Sequence, residues 1–170
     1  SFIRLYRLEN NFGKGFAIRK GISKAKYRRI IIFDGDMELN PNDIYDLMIL
    51  DKTNKIKGVF GYRGKNGSYY NPIWRIGNFI FTGIFNIINN TDFKDVLCCA
   101  KAFYKEDIDL NKLKSVGFDI DAELASALAK YSSNIKSVIM PYNRRSKKDG
   151  KKLRVTDGWD ILKCIIRYKL

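Results

Sequence analysis

Histidine is absent from this 170-residue sequence, and cysteine and long apolar runs are scarce. Without histidine, imidazole acid–base chemistry and the common zinc sites are excluded. The three cysteines, Cys98, Cys99 and Cys164, form neither a disulfide framework nor a metal-binding spacing, which favours a reducing compartment. No apolar run approaches the ~18 residues of a transmembrane helix, and no signal peptide is recognisable. Carboxylates and cationic side chains remain as the candidate functional groups.

Acidic residues are few relative to basic ones: 18 Asp and Glu stand against 32 Lys and Arg, a net charge of +14. Such an excess favours a polyanionic partner, whether nucleic acid, an anionic membrane surface or a phosphorylated substrate. A solvated basic surface is the alternative explanation. The length fits one domain, and a mean hydropathy of −0.30 with 45% hydrophobic residues is typical of a globular protein.

Three acidic residues stand directly after an apolar run. Residues 30–33 are typical of a strand buried on both faces of a parallel sheet. Asp34, Asp36 and Glu38 follow at its carboxyl end, where open α/β sheets bind ligands. Because alternate residues of an extended segment point the same way, we expect the three carboxylates to converge. Hard oxygen ligands predict Mg²⁺ or Mn²⁺, although Asp-Gly-Asp is also the composition of an ordinary turn.

The first half of the chain predicts a β-α-β-α-β order, the pattern of a parallel sheet with crossover helices. Residues 2–7 alternate weakly and are predicted as a strand. A helix follows whose inner face should contain Ala17, Ile18, Ile22 and Ala25. After the acidic segment, Asn40 as a cap and Pro41 in the first turn predict a helix over 41–50. Residues 57–62 are predicted as the next strand.

Residues 73–89 predict a helix with more apolar surface than one packed face needs. Isoleucines at positions 76, 80, 84 and 87 share one stripe, and four aromatic residues spread around it. Either protein covers this helix on two sides, or part of it touches a membrane surface. Packing within protein is favoured, because surface-seeking helices usually carry a sharper polar face.

The second half predicts a strand over 96–103, a helix over 120–131, a strand over 135–140 and a capped helix over 157–168. Asp119, Asp121 and Glu123 lie in the first turn of the 120–131 helix, where acids complement the helix dipole without any chemistry. A basic segment spans 144–154. Taken alone, it is explained by a solvated run of charges without any phosphate binding.

Several short blocks occur in a fixed order along nearly the whole chain. They are Asn11-x-Gly13-Lys14-Gly15, Phe33-Asp34-Gly35-Asp36-x-Glu38, Gly61-Tyr62-Arg63, residues 95–103, Gly117-Phe118-Asp119-Ile120-Asp121-Ala122-Glu123, and Tyr142-Asn143-Arg144-Arg145 with Asp157-Gly158. In this order they resemble the family 2 glycosyltransferases, most closely the polyprenyl-phosphate (dolichyl-phosphate mannose synthase-like) sugar transferases. Each block alone is weakly specific, whereas their succession is specific to the family.

The resemblance implies an α/β fold of the nucleotide-diphospho-sugar transferase (GT-A-like, Rossmann-type) class, with a mixed, mainly parallel sheet and helices on both faces. Residues 1–170 would form a single catalytic domain with a metal-site half and an acceptor half. The implied activity is inverting transfer of a sugar from a nucleoside-diphosphate sugar to a dolichyl or undecaprenyl phosphate, or to a saccharide hydroxyl. Such an enzyme would be cytoplasmic and peripheral at the cytoplasmic face of a membrane, with no nucleic-acid partner.

The resemblance also implies roles for individual residues. Asp34 and Asp36 would hold the Mg²⁺ or Mn²⁺ that bridges the diphosphate, with Glu38 as a third ligand. A hydroxyl acceptor needs a general base, either Asp121 or Glu123, whereas a polyprenyl phosphate is already largely ionised. The residues implied to contact phosphates or the acceptor are Lys14, Arg19, Arg63, Arg145, Lys151, Lys152 and, on the acceptor side, Asp95.

Members of the family begin with a strand–turn–helix carrying a Pro-x-Tyr-Asn-Glu-like segment that helps to bind the nucleotide. The first residues here correspond to a later strand. We therefore expect that roughly the first quarter of the domain is missing, which leaves an open sheet edge and poor solubility. The nucleotide pocket would be incomplete, and this chain alone would be inactive. Cys98 stands where the family usually has Thr, and Ala100 where it has Tyr.

Two other classes compete with this interpretation. A Mg²⁺-dependent phosphohydrolase also places Asp-x-Asp after a strand, but it requires Thr where Glu38 stands. A basic nucleic-acid-binding module would explain the charge of +14. Its aromatic residues should interleave with the basic cluster as a stacking platform, whereas here they lie in apolar helices.

Overall fold

The computed structural model describes residues 3–64, 72–145 and 156–168. Its strands are β1 (Arg29–Ile32), β2 (Gly58–Arg63), β3 (Lys101–Tyr104) and β4 (Ile135–Met140). Its helices are α1 (Lys14–Lys24), α2 (Ile44–Leu47), α3 (Pro72–Asn89), α4 (Ile120–Leu128) and α5 (Asp157–Arg167). Short 3₁₀ segments precede α2, follow β3 and follow α4.

The four strands form one sheet in the order β1-β3-β2-β4. β3 is antiparallel to both of its neighbours, while β2 and β4 are parallel. Strands β1, β2 and β4 therefore run in one direction and only β3 runs against them. The predicted α/β fold with a mixed sheet is confirmed.

A hydrophobic core lies on each face of the sheet. The larger one packs sheet residues such as Ile30, Phe60 and Phe103 against α1, α3, α4 and α5. The smaller one contains Val59 and further sheet residues packed with Leu47 of α2. Because β2 and β3, at the centre of the sheet, are covered on both faces, the ends of the strands are the places where polar side chains can gather.

β1 is buried on one face only, in contrast to the prediction. Ile30 and Ile32 point into the larger core, whereas Arg29 and Ile31 are exposed. The physical reason is that β1 is the edge strand of the described sheet and nothing described covers its second face. Residues 3–7 were predicted as a strand and form none, since no described strand pairs with them.

β3 begins later than predicted because residue 101 is a lysine with its side chain turned back. The Nζ atom of Lys101 donates to the carbonyl oxygens of Val96 (3.1 Å) and Cys98, so residues 96–100 curl around the ammonium. The predicted helix over 41–50 is likewise shorter. Asn40 caps a 3₁₀ turn by accepting from Asn42 N, and only one α-helical turn follows.

α1 begins where two backbone segments touch. Gly13 has a φ of +89°, and Gly15 N donates to Val116 O at 2.9 Å. A Cβ atom on Gly15 would lie 2.2 Å from Ser115 O, so only glycine fits there. This contact places the first turn of α1 beside the segment that leads into α4.

α3 forms as predicted, but the large apolar side chains of its outer stripe are exposed. The favoured interpretation, protein packed on both sides of this helix, is not what the described residues show. Among the helices of the described ranges, none combines the length and apolar character needed to cross a bilayer.

The contact between α1 and residues 115–117 predicts opposite effects on stability for two glycine substitutions in α1. Gly15→Ala should lower the free energy of unfolding by at least about 2 kcal/mol, because its Cβ would overlap a backbone carbonyl that cannot move cheaply. Gly21→Ala in the same helix meets nothing within 4 Å and should stabilise by about 0.5–1 kcal/mol through helix propensity. Urea denaturation measures both. Equal effects of the two substitutions would contradict the close approach.

Candidate active site

Lys14, the first residue of α1, links the end of β1 to the first turn of α4. Its Nζ atom donates to Asp34 Oδ2 and to Asp121 Oδ2, each at 2.9 Å. Burial would lower the pKa of Lys14, but the carboxylates of Asp121 and Asp34 outweigh burial and hold that pKa above its ordinary value. Lys14 is therefore a permanent cation between two carboxylates, and a phosphate would have to compete with them for it.

Asp121 has one oxygen engaged and one free. Its side chain is 6% exposed, Oδ2 is bound to Lys14, and the buried Oδ1 accepts no hydrogen bond from the described residues. A buried acceptor without a donor costs about 1–3 kcal/mol, so such an atom needs an explanation. A hydroxyl group of a ligand could donate to this oxygen.

Glu123 is the other predicted candidate for the base, and both of its carboxylate oxygens already accept hydrogen bonds. It is 1% exposed, and its two oxygens accept the backbone N–H groups of Lys114 (2.7 Å) and Ser115 (2.9 Å). A carboxylate fixed by two backbone donors is a structural anchor. Glu123 holds the segment that lies against α1, so of the two carboxylates only Asp121 has an oxygen without a described donor.

The second part of the site joins the acidic segment to the end of β4. Glu38 Oε2 accepts from the Tyr142 hydroxyl at 2.6 Å, and Glu38 Oε1 accepts from Arg145 N at 2.9 Å. Burial and the neighbouring Glu38 carboxylate raise the pKa of Tyr142. Arg145 Nη2 donates to Asp36 Oδ2 at 2.9 Å. Arg145 thus has a carboxylate partner without any phosphate present.

The expected convergence of Asp34, Asp36 and Glu38 on one point is not seen. Met37 has a φ of +64°, so the segment turns instead of staying extended, and the three carboxylates contact different partners. Within residues 3–64, 72–145 and 156–168, no three acidic or cysteine side chains are grouped as metal ligands.

Asp34 and Asp36 still suit a divalent ion. Their side chains are 34% and 31% exposed, so both carboxylates are within reach of solvent, and their only side-chain partners described are cations. Mg²⁺ is usually held by one or two carboxylates together with substrate phosphates, not by a complete protein cage. The donor set therefore fits Mg²⁺ or Mn²⁺ without a cluster of three ligands.

Arg63 and Asp95 form a nearly buried ion pair. Arg63 Nε and Nη2 donate to the two oxygens of Asp95 at 2.7 and 2.8 Å, and Nη2 also donates to Asn78 Oδ1 at 3.0 Å. Burial would raise the pKa of Asp95, but Arg63 outweighs it, and the pKa lies below its usual range. Arg63 and Asp95, predicted to contact phosphate and acceptor, are bound to each other and tie the end of β2 to α3.

The other predicted phosphate contacts divide into two groups. Arg19 Nη1 donates to Ser115 O, so in this structure Arg19 supports the same segment as Glu123. Lys151 and Lys152 lie outside the described residues. The sequence assigned no role to Lys101, Tyr142 or Asn78, although a lysine inside an otherwise apolar strand was an available signal for Lys101.

Comparisons with known proteins point to one family. The sequence model of the family described as glycosyl transferase family 2 matches residues 1–109, more than half of the chain. Glycosyltransferase AglJ of Haloferax volcanii is 29% identical over 148 residues, which cover 84% of this chain and 47% of AglJ. An uncharacterized protein of Methanocaldococcus jannaschii is 32% identical over 147 residues, which cover 78% of this chain and 61% of that protein. The chain thus spans about half the length of the curated relatives it matches.

Solved structures show the same fold. Glucosyl-3-phosphoglycerate synthase of Mycobacterium tuberculosis, bound to phosphoglyceric acid, matches with a TM-score of 0.66 and 11% identity. The match covers 92% of this chain and 55% of the synthase chain. The same enzyme in complex with Mn²⁺, uridine-diphosphate-glucose and phosphoglyceric acid matches with a TM-score of 0.63 and 11% identity, over 92% of this chain and 54% of that one. At this identity the likeness concerns the fold alone.

The Lys14 contacts generate a double-mutant prediction. Lys14→Met leaves Asp121 buried without its counter-ion and should destabilise the protein by about 3–5 kcal/mol. Adding Asp121→Asn should recover a large part of that loss, since the uncompensated charge is then gone. Lys20→Met, at an exposed position of the same helix, is the control and should change stability by no more than about 0.5 kcal/mol. Additive effects of Lys14→Met and Asp121→Asn in guanidinium denaturation would contradict the coupling.

Proposed function

The chain belongs to glycosyl transferase family 2, and from that premise we propose that it serves the metal-dependent transfer of a sugar from a nucleoside-diphosphate sugar to a polyprenyl phosphate. The observation that carries the proposal is that Lys14 bridges Asp34 and Asp121, while Arg145 pairs with Asp36, two residues after Asp34. Two carboxylates for a cation, two cations for phosphates and a base with one oxygen open to a ligand are linked by these contacts and by the short 34–36 segment. These are the groups that displacement of a diphosphate requires.

Asp34 and Asp36 are the residues we assign to the metal. A divalent ion held there would supply neutralisation of the charge that develops on the leaving diphosphate. Glu38 fixes residues 142–145 by accepting from the Tyr142 hydroxyl and from the backbone N–H of Arg145, and we assign it a positioning role beside that ion. Structures of the mycobacterial synthase contain Mn²⁺ together with uridine-diphosphate-glucose, which supports a divalent cofactor in this fold.

Lys14 and Arg145 are the phosphate-binding side chains we propose from the described residues. In this structure each is paired with a carboxylate, Lys14 with Asp34 and Arg145 with Asp36. With a metal ion held at Asp34 and Asp36, Arg145 could turn from Asp36 to the diphosphate, and Lys14 could donate to the diphosphate while keeping its bond to Asp121. Lys would act as a point charge, whereas Arg can donate two parallel hydrogen bonds to one phosphate.

The polyprenyl phosphate acceptor has support from the surroundings of the site. Arg144, adjacent to Arg145, stacks over the Trp74 ring of α3 at 4.7 Å, so the cationic end of the site adjoins the exposed apolar helix. A lipid phosphate presents the matching combination of an anionic head and an apolar chain. With such an acceptor the protein would act as a cytoplasmic enzyme, peripheral at a membrane surface.

A saccharide hydroxyl is the second candidate acceptor, and one observation favours it. Asp121 Oδ1 is buried and receives no hydrogen bond from the described residues, as a general base awaiting a hydroxyl donor would be. A polyprenyl phosphate carries no proton that must be removed, so it leaves this oxygen unexplained. The two acceptors therefore differ in what they require of Asp121.

The metal assignment predicts a loss of donor binding. Asp36→Asn should weaken Mn²⁺-dependent binding of a nucleoside diphosphate by about ten- to a hundredfold, because one charge-assisted ligand is removed. Calorimetric titration with uridine and guanosine diphosphate, each with and without Mn²⁺, measures this. Asp46→Asn, at an exposed position of α2, is the matched control and should bind normally. Tight binding that ignores Mn²⁺, or that survives Asp36→Asn, would count against the assignment.

The substitution Asp121→Asn distinguishes a saccharide hydroxyl from a polyprenyl phosphate as the acceptor. With a hydroxyl acceptor the substitution should lower kcat by about 10²–10⁴-fold with little change in KM for the donor, since base catalysis is lost. With undecaprenyl or dolichyl phosphate the loss should be less than about tenfold, since no proton is transferred. Radiolabelled sugar transfer to each acceptor class, assayed with the same variant, separates the two outcomes. Because this chain alone is expected to be inactive, the assay uses a protein that also carries the family's N-terminal strand–turn–helix, and its failure to transfer to either acceptor class would refute the proposed function.

A further inference from the structure

α3 turns polar side chains towards the protein and an apolar stripe towards solvent, the reverse of an ordinary surface helix. A surface helix normally buries an apolar stripe and shows polar residues to water. The inward face of α3 instead carries hydrogen-bonded polar side chains: Asn78 with Arg63 Nη2 (3.0 Å), Thr82 with Val96 N (3.3 Å) and Asn86 with Phe93 N (3.0 Å). Only a few apolar side chains, such as Phe85, accompany them into the core.

The outer face of α3 is apolar. We give this name to five residues at helical spacing whose exposed fractions are Ile73 69%, Ile76 58%, Phe79 79%, Ile80 49% and Ile87 84%. They form one continuous stripe along the helix, since positions 73, 76, 80 and 87 differ by three, four and seven residues. A contiguous stripe of this kind marks an interaction surface, unlike single exposed apolar residues.

Cations border the outer face of α3, and acids are absent from the helix. Arg75 is its one charged residue and is exposed. Arg144 lies over the Trp74 ring, and the neighbouring α5 exposes Lys163 and Arg167 together with one acid, Asp160. An apolar stripe flanked by Lys and Arg is the pattern of a helix that lies in the plane of a membrane interface.

We propose that the outer face of α3 docks on an anionic lipid bilayer, with the helix lying flat in the headgroup region. The charge of Arg75 favours a lipid bilayer over a protein as the partner of this surface. Against an apolar protein surface its charge would need a buried counter-charge, whereas at a bilayer the side chain can extend to the lipid phosphates. A second copy of the chain is also disfavoured, because it would add the cations of a second α3 to the same interface without supplying counter-charges from that helix.

The proposed docking surface is inferred from the contacts and exposure of α3 and does not depend on the sugar-transfer chemistry. The test of the surface can therefore fail while the proposed function holds, and the reverse. Attraction to anionic lipids is worth roughly 1 kcal/mol per Lys or Arg close to the surface, so binding should depend on lipid charge as well as on apolar contact.

The test is flotation of the purified protein with vesicles of phosphatidylcholine alone and of phosphatidylcholine with phosphatidylglycerol. We expect wild type to float with the anionic vesicles and much less with the neutral ones. The triple variant Ile76→Ser/Phe79→Ser/Ile80→Ser should lower the partition coefficient by at least about tenfold, because the apolar contact is lost. The control variant Tyr27→Ser/Tyr45→Ser/Ile49→Ser removes exposed side chains outside α3 and should bind as wild type does.

A depth measurement covers the case in which a triple variant folds poorly. Phe79→Trp and Tyr27→Trp each change one exposed aromatic residue. With brominated lipids, the fluorescence that Phe79→Trp adds to that of wild type should be quenched, and the fluorescence that Tyr27→Trp adds should not. The proposal is overturned if wild type does not bind anionic vesicles, or if the α3 and control variants bind equally. It is also overturned if the two added fluorescence signals are quenched alike. A dimer, detected by light scattering and abolished in the α3 variant, would overturn it too.

Discussion

Lys14 can stand between Asp34 and Asp121 only because the backbone of α1 begins in contact with residues 115–117. Gly13 and Gly15 permit that contact, and Glu123 holds the other side of it through the N–H groups of Lys114 and Ser115. A side chain at either glycine would push the two segments apart. The electrostatic centre of the site therefore rests on steric contact between two stretches of backbone.

The second half of the site depends on a different link, the hydrogen bonds between Glu38 and the end of β4. Tyr142 and the backbone of Arg145 bind the two oxygens of Glu38, and this brings the Arg145 guanidinium to Asp36. Each carboxylate that could hold a metal is thus balanced by a cation from a distant part of the chain. A cation beside a partly buried carboxylate offsets part of the cost of removing its charge from water.

α3 connects the site to the surface of the molecule. Arg63 is shared between Asp95 and Asn78, so the end of β2 and the inner side of α3 are fixed to one another. The asparagine and threonine side chains that make these contacts share the inward face of the helix with Phe85 and with the partly buried Ile84 and Ile88. Four other isoleucines point outward and, with Phe79, form the apolar outer face.

Local patterns in the sequence determined the elements and the place of the site. Residues 135–140 form β4 with the expected bounds, α3 and α5 follow their apolar periodicity, and the acidic segment follows a strand as expected. The partners of the charged residues were decided by the tertiary structure alone. Lys14 and Asp121 are 107 positions apart, and Glu38 and Tyr142 are 104 apart. Propensity and periodicity act over a few neighbouring residues, so they indicate that a carboxylate is present but not which distant cation or N–H group will bind it. For the same reason the apolar run 30–33 predicted burial on both faces, although the packing of remote segments leaves β1 at an edge of the described sheet.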